Sequence, residues 1–88
     1  MLYVQRFNVR QVSHAPRSVQ TGSFRSHEIE IITGYDAIHD RYPVHVRVHR
    51  AGEPWRRLDT AAIAGDDECD AFEKGWKFVA EWTSGLAD

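Results

Sequence analysis

Hydrophobic residues near the end of the chain recur at helical spacing. Within residues 66–84 they form two adjacent rows with steps of three and four, one made of Cys69, Phe72, Trp76 and Val79 and the other of Ala71, Gly75, Phe78 and Trp82. Charged side chains occupy the opposite side. This arrangement predicts an amphipathic helix over residues 66–84. Because large aromatic side chains on one helix face require cover, we expect the preceding residues to build the surface on which it packs.

The ends and the small residues of this helix carry further information. Either Asp66 or Asp67 can act as N-cap, and Gly85 is suited to the C-terminal end. Gly75 in mid-helix predicts a close approach of the helix to its packing partner. Cys69 is the only cysteine, so it has no partner for an internal disulfide. We expect it to be a small buried hydrophobe on the apolar face.

Two segments alternate apolar and polar residues with the period of a β-strand. Residues 27–35 and 43–50 each present one apolar and one polar face, so both are predicted strands. An antiparallel hairpin in which paired residue numbers sum to 77 places opposite charges across from one another. Its pairs include Ile31 with Val46, Glu30 with Arg47, Glu28 with His49 and Asp36 with Arg41. Neighbouring odd sums also match acid with base, so the register is left open.

The remaining segments are assigned from weaker patterns. Residues 2–12 place three hydrophobic residues at one parity, which predicts a strand. Residues 13–26 predict a long flexible connection, with a short extended piece around Ser18 to Thr21 as an alternative left open. A turn around Gly52 and Pro54 precedes a short strand at 55–60. On that strand Trp55 falls on the polar face, unless a bulge turns it inward.

These elements predict an α+β fold in a single domain, residues 1–88. Three to four antiparallel β-strands form a meander, and one C-terminal α-helix packs on one face of the sheet. Uncovered sheet edges make a dimer plausible. The alternating valines, the glycine-containing turn and the tryptophan-containing closing helix, over residues 27–83, resemble small uncharacterised bacterial proteins with a β-meander and one C-terminal helix. That resemblance implies the architecture and no functional residue.

The composition agrees with the predicted globular fold, and the charge is distributed unevenly along the chain. Hydrophobic residues make up 42% and charged residues 27% of the 88 residues, as in ordinary globular chains. No apolar run is long enough to span a bilayer or to form a signal peptide, so we expect a cytoplasmic protein. Residues 1–60 carry nine arginines against six acids, a net charge of +3. Residues 61–88 carry two lysines against seven acids, a net charge of −5.

The polar face of the predicted sheet is the first candidate binding surface. It combines basic and aromatic side chains, namely His45, Arg47, His49, Trp55 and Arg57. Single-stranded nucleic acid is commonly held by aromatic platforms among basic groups. Against this stand the acids on the same face, a pI near 6.2 and the lack of any RNA-recognition signature. The alternative is a solvated face with weak cross-strand ion pairs.

No catalytic, metal-binding or cofactor-binding motif is recognisable in the sequence. His45 and His49 are four residues apart on a strand, which separates them by roughly 13 Å and prevents them from sharing a metal. Glu28 with His49 is a conceivable acid and base pair but lacks a pocket. We therefore expect no enzyme, no cofactor and no metal site.

The aromatic row of the helix is expected to be core, with Trp82 as the exception because it lies at the helix end. An exposed tryptophan is a common interface anchor. The function we expect is a non-catalytic binding domain that contacts another protein or itself, through the polar sheet face or a sheet edge. Single-stranded nucleic-acid binding on the same face is the alternative, and no membrane association is expected.

Overall fold

The computed structural model describes residues 3–86 of the chain. The elements in chain order are α1 (Tyr3–Phe7), β1 (Arg10–Ser13), β2 (Ser18–Phe24), β3 (His27–Thr33), β4 (Tyr42–Arg50), β5 (Arg56–Arg57), β6 (Ala64–Gly65) and α2 (Glu68–Ser84). The strands form one antiparallel sheet in the order β1-β2-β3-β4-β5, and β6 pairs with the beginning of β4. The helix α2 packs on one face of this sheet. The predicted α+β architecture is confirmed, with more strands than the three to four expected.

The central hairpin has the register that charge matching favoured. In β3 and β4 the paired residues include Ile31 with Val46 and Glu30 with Arg47. Beyond the strands, Asp36 and Arg41 form an isolated bridge in the same register. The register is strongly specified because a slip by one residue would expose every buried valine of β4.

The N-terminal third differs from the prediction. Residues 2–12 were predicted as a strand, but the described part of this segment begins with the short helix α1 and continues into β1. Residues 13–26 were predicted as a flexible connection, but they contain β2, which pairs with β3 along its whole length. Tyr3 and Phe7 are four residues apart, a spacing that suits one helix face as well as one strand face.

The core lies between the sheet and α2. Its buried hydrophobic residues are Phe7, Ile29, Ile31, Val44, Val46, Val48, Ala71, Phe72, Trp76 and Val79. The close approach predicted for Gly75 is confirmed, since a Cβ atom there would lie 3.0 Å from the side chain of Ile31. The apolar sheet face and the apolar helix face therefore bury each other.

Trp76 is the largest fully buried side chain, and it packs against α1 and β2. Its ring stacks on Phe7 of α1, with centroids 5.3 Å apart. Its indole N–H donates to Oε1 of Gln20 on β2 at 2.9 Å, which satisfies a buried donor. Gly22 leaves room for both aromatic residues, because a Cβ atom there would lie 2.7 Å from the Trp76 ring.

The predicted strand at 55–60 is shorter than expected. Only Arg56 and Arg57 pair with β4 as strand residues, although the backbone N–H of Leu58 still donates to the carbonyl oxygen of Val46 at 3.0 Å. The hydroxyl of Thr60 donates to the carbonyl oxygen of Val44 at 2.6 Å, which fixes the exit from the sheet. The sequence favoured Trp55 on the polar face, and its contacts confirm that position.

The ends of α2 follow the capping expectations, with one correction. Asp67 is the N-cap, and its carboxylate accepts from the backbone N–H of Asp70 at 2.7 Å. Gly85 is the C-cap. Cys69, however, is exposed rather than buried, although Ala71 in the same turn packs on Gly65 of β6.

No helix within residues 3–86 is long and apolar enough to cross a membrane.

Candidate functional site

The face of the sheet opposite α2, which we call the outer face, collects the polar side chains of several strands. Side chains alternate along a strand, so burial of the β4 valines directs His45, Arg47 and His49 to the outer face. Arg57 pairs with Arg47 and so joins them from β5. All five residues predicted for this surface lie on it.

Trp55 lies at the centre of an interacting group, which we call the Trp55 cluster and define as Trp55, Arg47 and His49. Its indole stacks on the imidazole of His49, with centroids 4.9 Å apart and planes inclined by 25°. The guanidinium of Arg47 lies 4.7 Å from the centre of the indole ring. These contacts hold the indole in place while 41% of the residue remains exposed.

Acids on β3 balance part of the charge of this cluster. The Nε–H of Arg47 donates to Oε1 of Glu30 at 2.6 Å. Nδ1 of His49 lies 3.8 Å from Oε2 of Glu28, which is beyond hydrogen-bonding distance. The predicted cross-strand ion pair of Arg47 with Glu30 therefore forms, and Arg47 is held by Glu30 on one side and Trp55 on the other.

A second group, which we call the basic corner, consists of Arg17, His45 and Arg57. Nη2 of Arg57 lies 2.8 Å from Nδ1 of His45. A guanidinium can only donate, so Nδ1 of His45 is the acceptor and is unprotonated in this contact. Partial burial lowers the pKa of His45 below 6.5, and the positive charges of Arg57 and Arg17 lower it further.

A cleft of about 710 Å³ runs over the outer face beside Trp55. Its walls are α1 with the following loop on one side and Trp55 on the other, and Glu28 and Glu30 of β3 also line it. The cleft therefore combines an aromatic wall with both acidic and basic groups, since Arg10 lines it as well.

Trp82 takes a different position from the one expected of an exposed anchor. It is half-buried and packs against the core. His27 meets its ring edge-on at 5.6 Å between centroids, and the Arg56 guanidinium lies 5.9 Å from the ring centre. Trp82 thus makes contacts within the molecule, and its role as an interface anchor stays a prediction.

Arg17 is a site residue that sequence reasoning missed. It lies in the segment predicted to be a flexible connection, next to β2, and its side chain reaches Gly34 and the vicinity of His45. Only recognition of β2 as a strand would have placed it beside β3. Its charge alone did not distinguish it from the eight other arginines.

Metal-ligating side chains do not converge in the part of the chain that the structure describes. No group of three histidine, cysteine, aspartate or glutamate side chains is arranged to hold a metal ion within residues 3–86. The outer face presents hydrogen-bonding, charged and aromatic groups.

Comparison with known proteins adds no relative, because no protein-family model, no curated protein and no solved structure matches this chain.

Proposed function

We propose that this chain is a binding module that recognises a partner protein through the outer face, with the Trp55 cluster at the centre of the interface. The observation that supports the proposal is that Trp55 is both fixed in position and exposed to solvent. Its indole is held by His49 and Arg47, yet 41% of the residue faces solvent at the border of a cleft. Tryptophan and arginine are the residues most enriched among interface hot spots.

The sheet edges favour this face over edge-to-edge pairing. β1 is only four residues long, and its pairing with β2 shifts register between Gln11 and Ser13. β5 has two residues. Short and irregular edge strands are the usual means by which proteins avoid strand pairing with other chains.

The mixed charge of the outer face favours a protein over nucleic acid as the partner. Glu30 holds Arg47, and Glu28 lies beside His49. Carboxylates at the centre of a surface repel a phosphate backbone, whereas protein interfaces commonly match both signs of charge.

Single-stranded nucleic acid is the second candidate because Trp55 lies beside Arg47, and Arg57 is paired with Arg47 across the strands. An exposed indole among guanidinium groups is suited to base stacking. The two candidates differ in their response to nuclease and to salt, so one experiment separates them.

Affinity capture from cell extract with quantitative mass spectrometry tests the proposal. We expect Trp55→Ser to capture at least tenfold less of a specific protein partner. Truncation of a hot-spot tryptophan lowers the binding free energy by about 2 kcal/mol or more. Capture should survive nuclease treatment.

The matched control is Ile38→Ser. Ile38 is 89% exposed on the turn between β3 and β4, away from the Trp55 cluster, so this substitution should leave capture unchanged. Partners that bind equally to Trp55→Ser and to the unmodified chain would contradict the proposal. Loss of all capture after nuclease treatment would support nucleic acid instead.

A further inference from the structure

The basic corner holds positive charge that no carboxylate neutralises in the described part of the chain. Ion pairs occupy Arg47, Lys74 and three histidines, but no described carboxylate lies within ion-pair distance of Arg17 or Arg57. The partner of Arg57 is the neutral imidazole of His45. A neutral acceptor leaves the guanidinium charge in place.

The strand register increases this concentration of charge. Arg57 lies directly across from Arg47 in the β4–β5 pairing. Like charges at directly opposed positions destabilise a sheet. Glu30 compensates Arg47, and nothing comparable compensates Arg57 among residues 3–86.

The orientation of the groups suits an anionic ligand. His45 accepts from Nη2 of Arg57 and thereby holds the planar guanidinium, whose other N–H groups remain able to donate. Arg17 precedes β2, and its Cγ atom lies beside Gly34 just after β3; its positive charge also lowers the pKa of His45. A guanidinium held in place, with a second positive charge on the neighbouring strand, is suited to binding phosphoryl and carboxylate groups.

We propose that the basic corner binds an oxyanion of the partner protein, either a phosphoryl group or a carboxylate. This inference rests on the proposed function, because it names the chemistry of the partner at the same face. Trp55 then provides the apolar contact, and Arg17 and Arg57 provide the charged contact beside it. The partner segment is acidic or phosphorylated.

Nuclear magnetic resonance titration of the full chain tests the inference, with inorganic phosphate as the probe. We expect saturable shifts of the Arg17 and Arg57 side-chain Nε–H signals and of the His45 ring. Sodium chloride at equal ionic strength should not reproduce them. Arg57→Gln should weaken phosphate binding at least tenfold, and Arg57→Lys should weaken it less, because it keeps the charge but loses the planar fork.

The control is Arg50→Gln, which removes the same charge from β4 at a position of opposite parity to Arg47. It should bind phosphate as the unmodified chain does. Shifts that sodium chloride reproduces, or unchanged binding to Arg57→Gln, would overturn the inference.

Three further probes identify the source of the oxyanion: a phosphoserine heptapeptide, a heptapeptide with glutamate in its place, and an eight-residue oligothymidylate. Tighter binding of either peptide supports the inference and assigns the phosphoryl group or the carboxylate. Tighter binding of the oligonucleotide would overturn it. If protein capture depends on Trp55 but phosphate does not bind, this inference alone fails. If phosphate binds but capture is independent of Trp55, the proposed function fails.

Discussion

The three tryptophans occupy three different environments, and Trp55 is the most exposed of them. Trp76 is buried, with its N–H bonded to Gln20. Trp82 is half-buried at the end of α2. Trp55 is held by polar neighbours and remains exposed. Residue type alone does not separate these roles, whereas the position of each residue in the sheet or helix does.

The burial of individual residues could be predicted from the sequence in the middle of a long periodic row but not at its end. Phe72 and Val79 belong to a row that spans several helical turns, and both are buried. Cys69 begins the same row and is exposed, although Ala71 in the same turn packs on Gly65 of β6. Periodicity defines a helix face but not which of its terminal positions the partner surface covers.

His45 makes the outer face sensitive to pH. Its pKa in the folded chain is below 6.5 because of partial burial and of the nearby Arg57 and Arg17 charges. The unfolded chain therefore binds more protons near this pH. We expect the unfolding free energy to fall as the pH drops through 6.5, and to level off below the folded pKa.

Nuclear magnetic resonance titration of the His45 ring measures its folded pKa directly, and urea unfolding at several pH values measures the linked stability. His45→Asn should flatten this part of the pH profile. A folded pKa of His45 at or above 6.5 would show that the imidazole is not the acceptor of the Arg57 hydrogen bond.

At the scale of elements, the hairpin and α2 were predictable because their signals agree. Alternating valines, cross-strand charges and a tight turn all favour the same pairing of β3 and β4. β2 lacks such a signal because its inward positions are Ser18, Gln20, Gly22 and Phe24. These residues make room for Trp76 and Phe7 and do not form an alternating apolar pattern. The sequence of β2 therefore lacks the periodicity by which strands are predicted.

The tight contact between β2, α1 and α2 leads to a stability prediction at Gly22. A Cβ atom there would lie 2.5 Å from the carbonyl oxygen of Phe7 and 2.7 Å from the Trp76 ring. Neither the Phe7 backbone nor the buried Trp76 ring can move away easily, so the added methyl group would be overpacked. Gly22→Ala should therefore lower the free energy of unfolding by roughly 1–3 kcal/mol. Urea denaturation followed by tryptophan fluorescence measures this change.

Gly85→Ala is the matched control for Gly22→Ala. A Cβ atom at the C-cap of α2 would meet its nearest neighbour, the Trp82 carbonyl oxygen, at 3.6 Å, which is an ordinary contact. Its stability should stay close to that of the unmodified chain. Equal stability of the two variants would mean that α1 does not pack on β2 as described.

In the molecule as a whole, the two sides of the sheet differ in packing and in charge. One side is covered by α2, whose exposed surface includes Glu73 and Glu81. The outer face carries Arg47, Arg57 and the exposed Trp55. If the outer face binds a partner as we propose, this separation leaves the core undisturbed by binding.

Site-specific photo-crosslinking tests most directly whether the outer face is the binding surface. A benzophenone-bearing residue would replace Thr21, which lines the cleft, or Glu73, which is exposed on α2. We predict that position 21 forms a covalent adduct with a partner protein in cell extract, and that position 73 does not. Adducts formed only from position 73, or adducts of position 21 with nucleic acid alone, would contradict protein binding through the outer face.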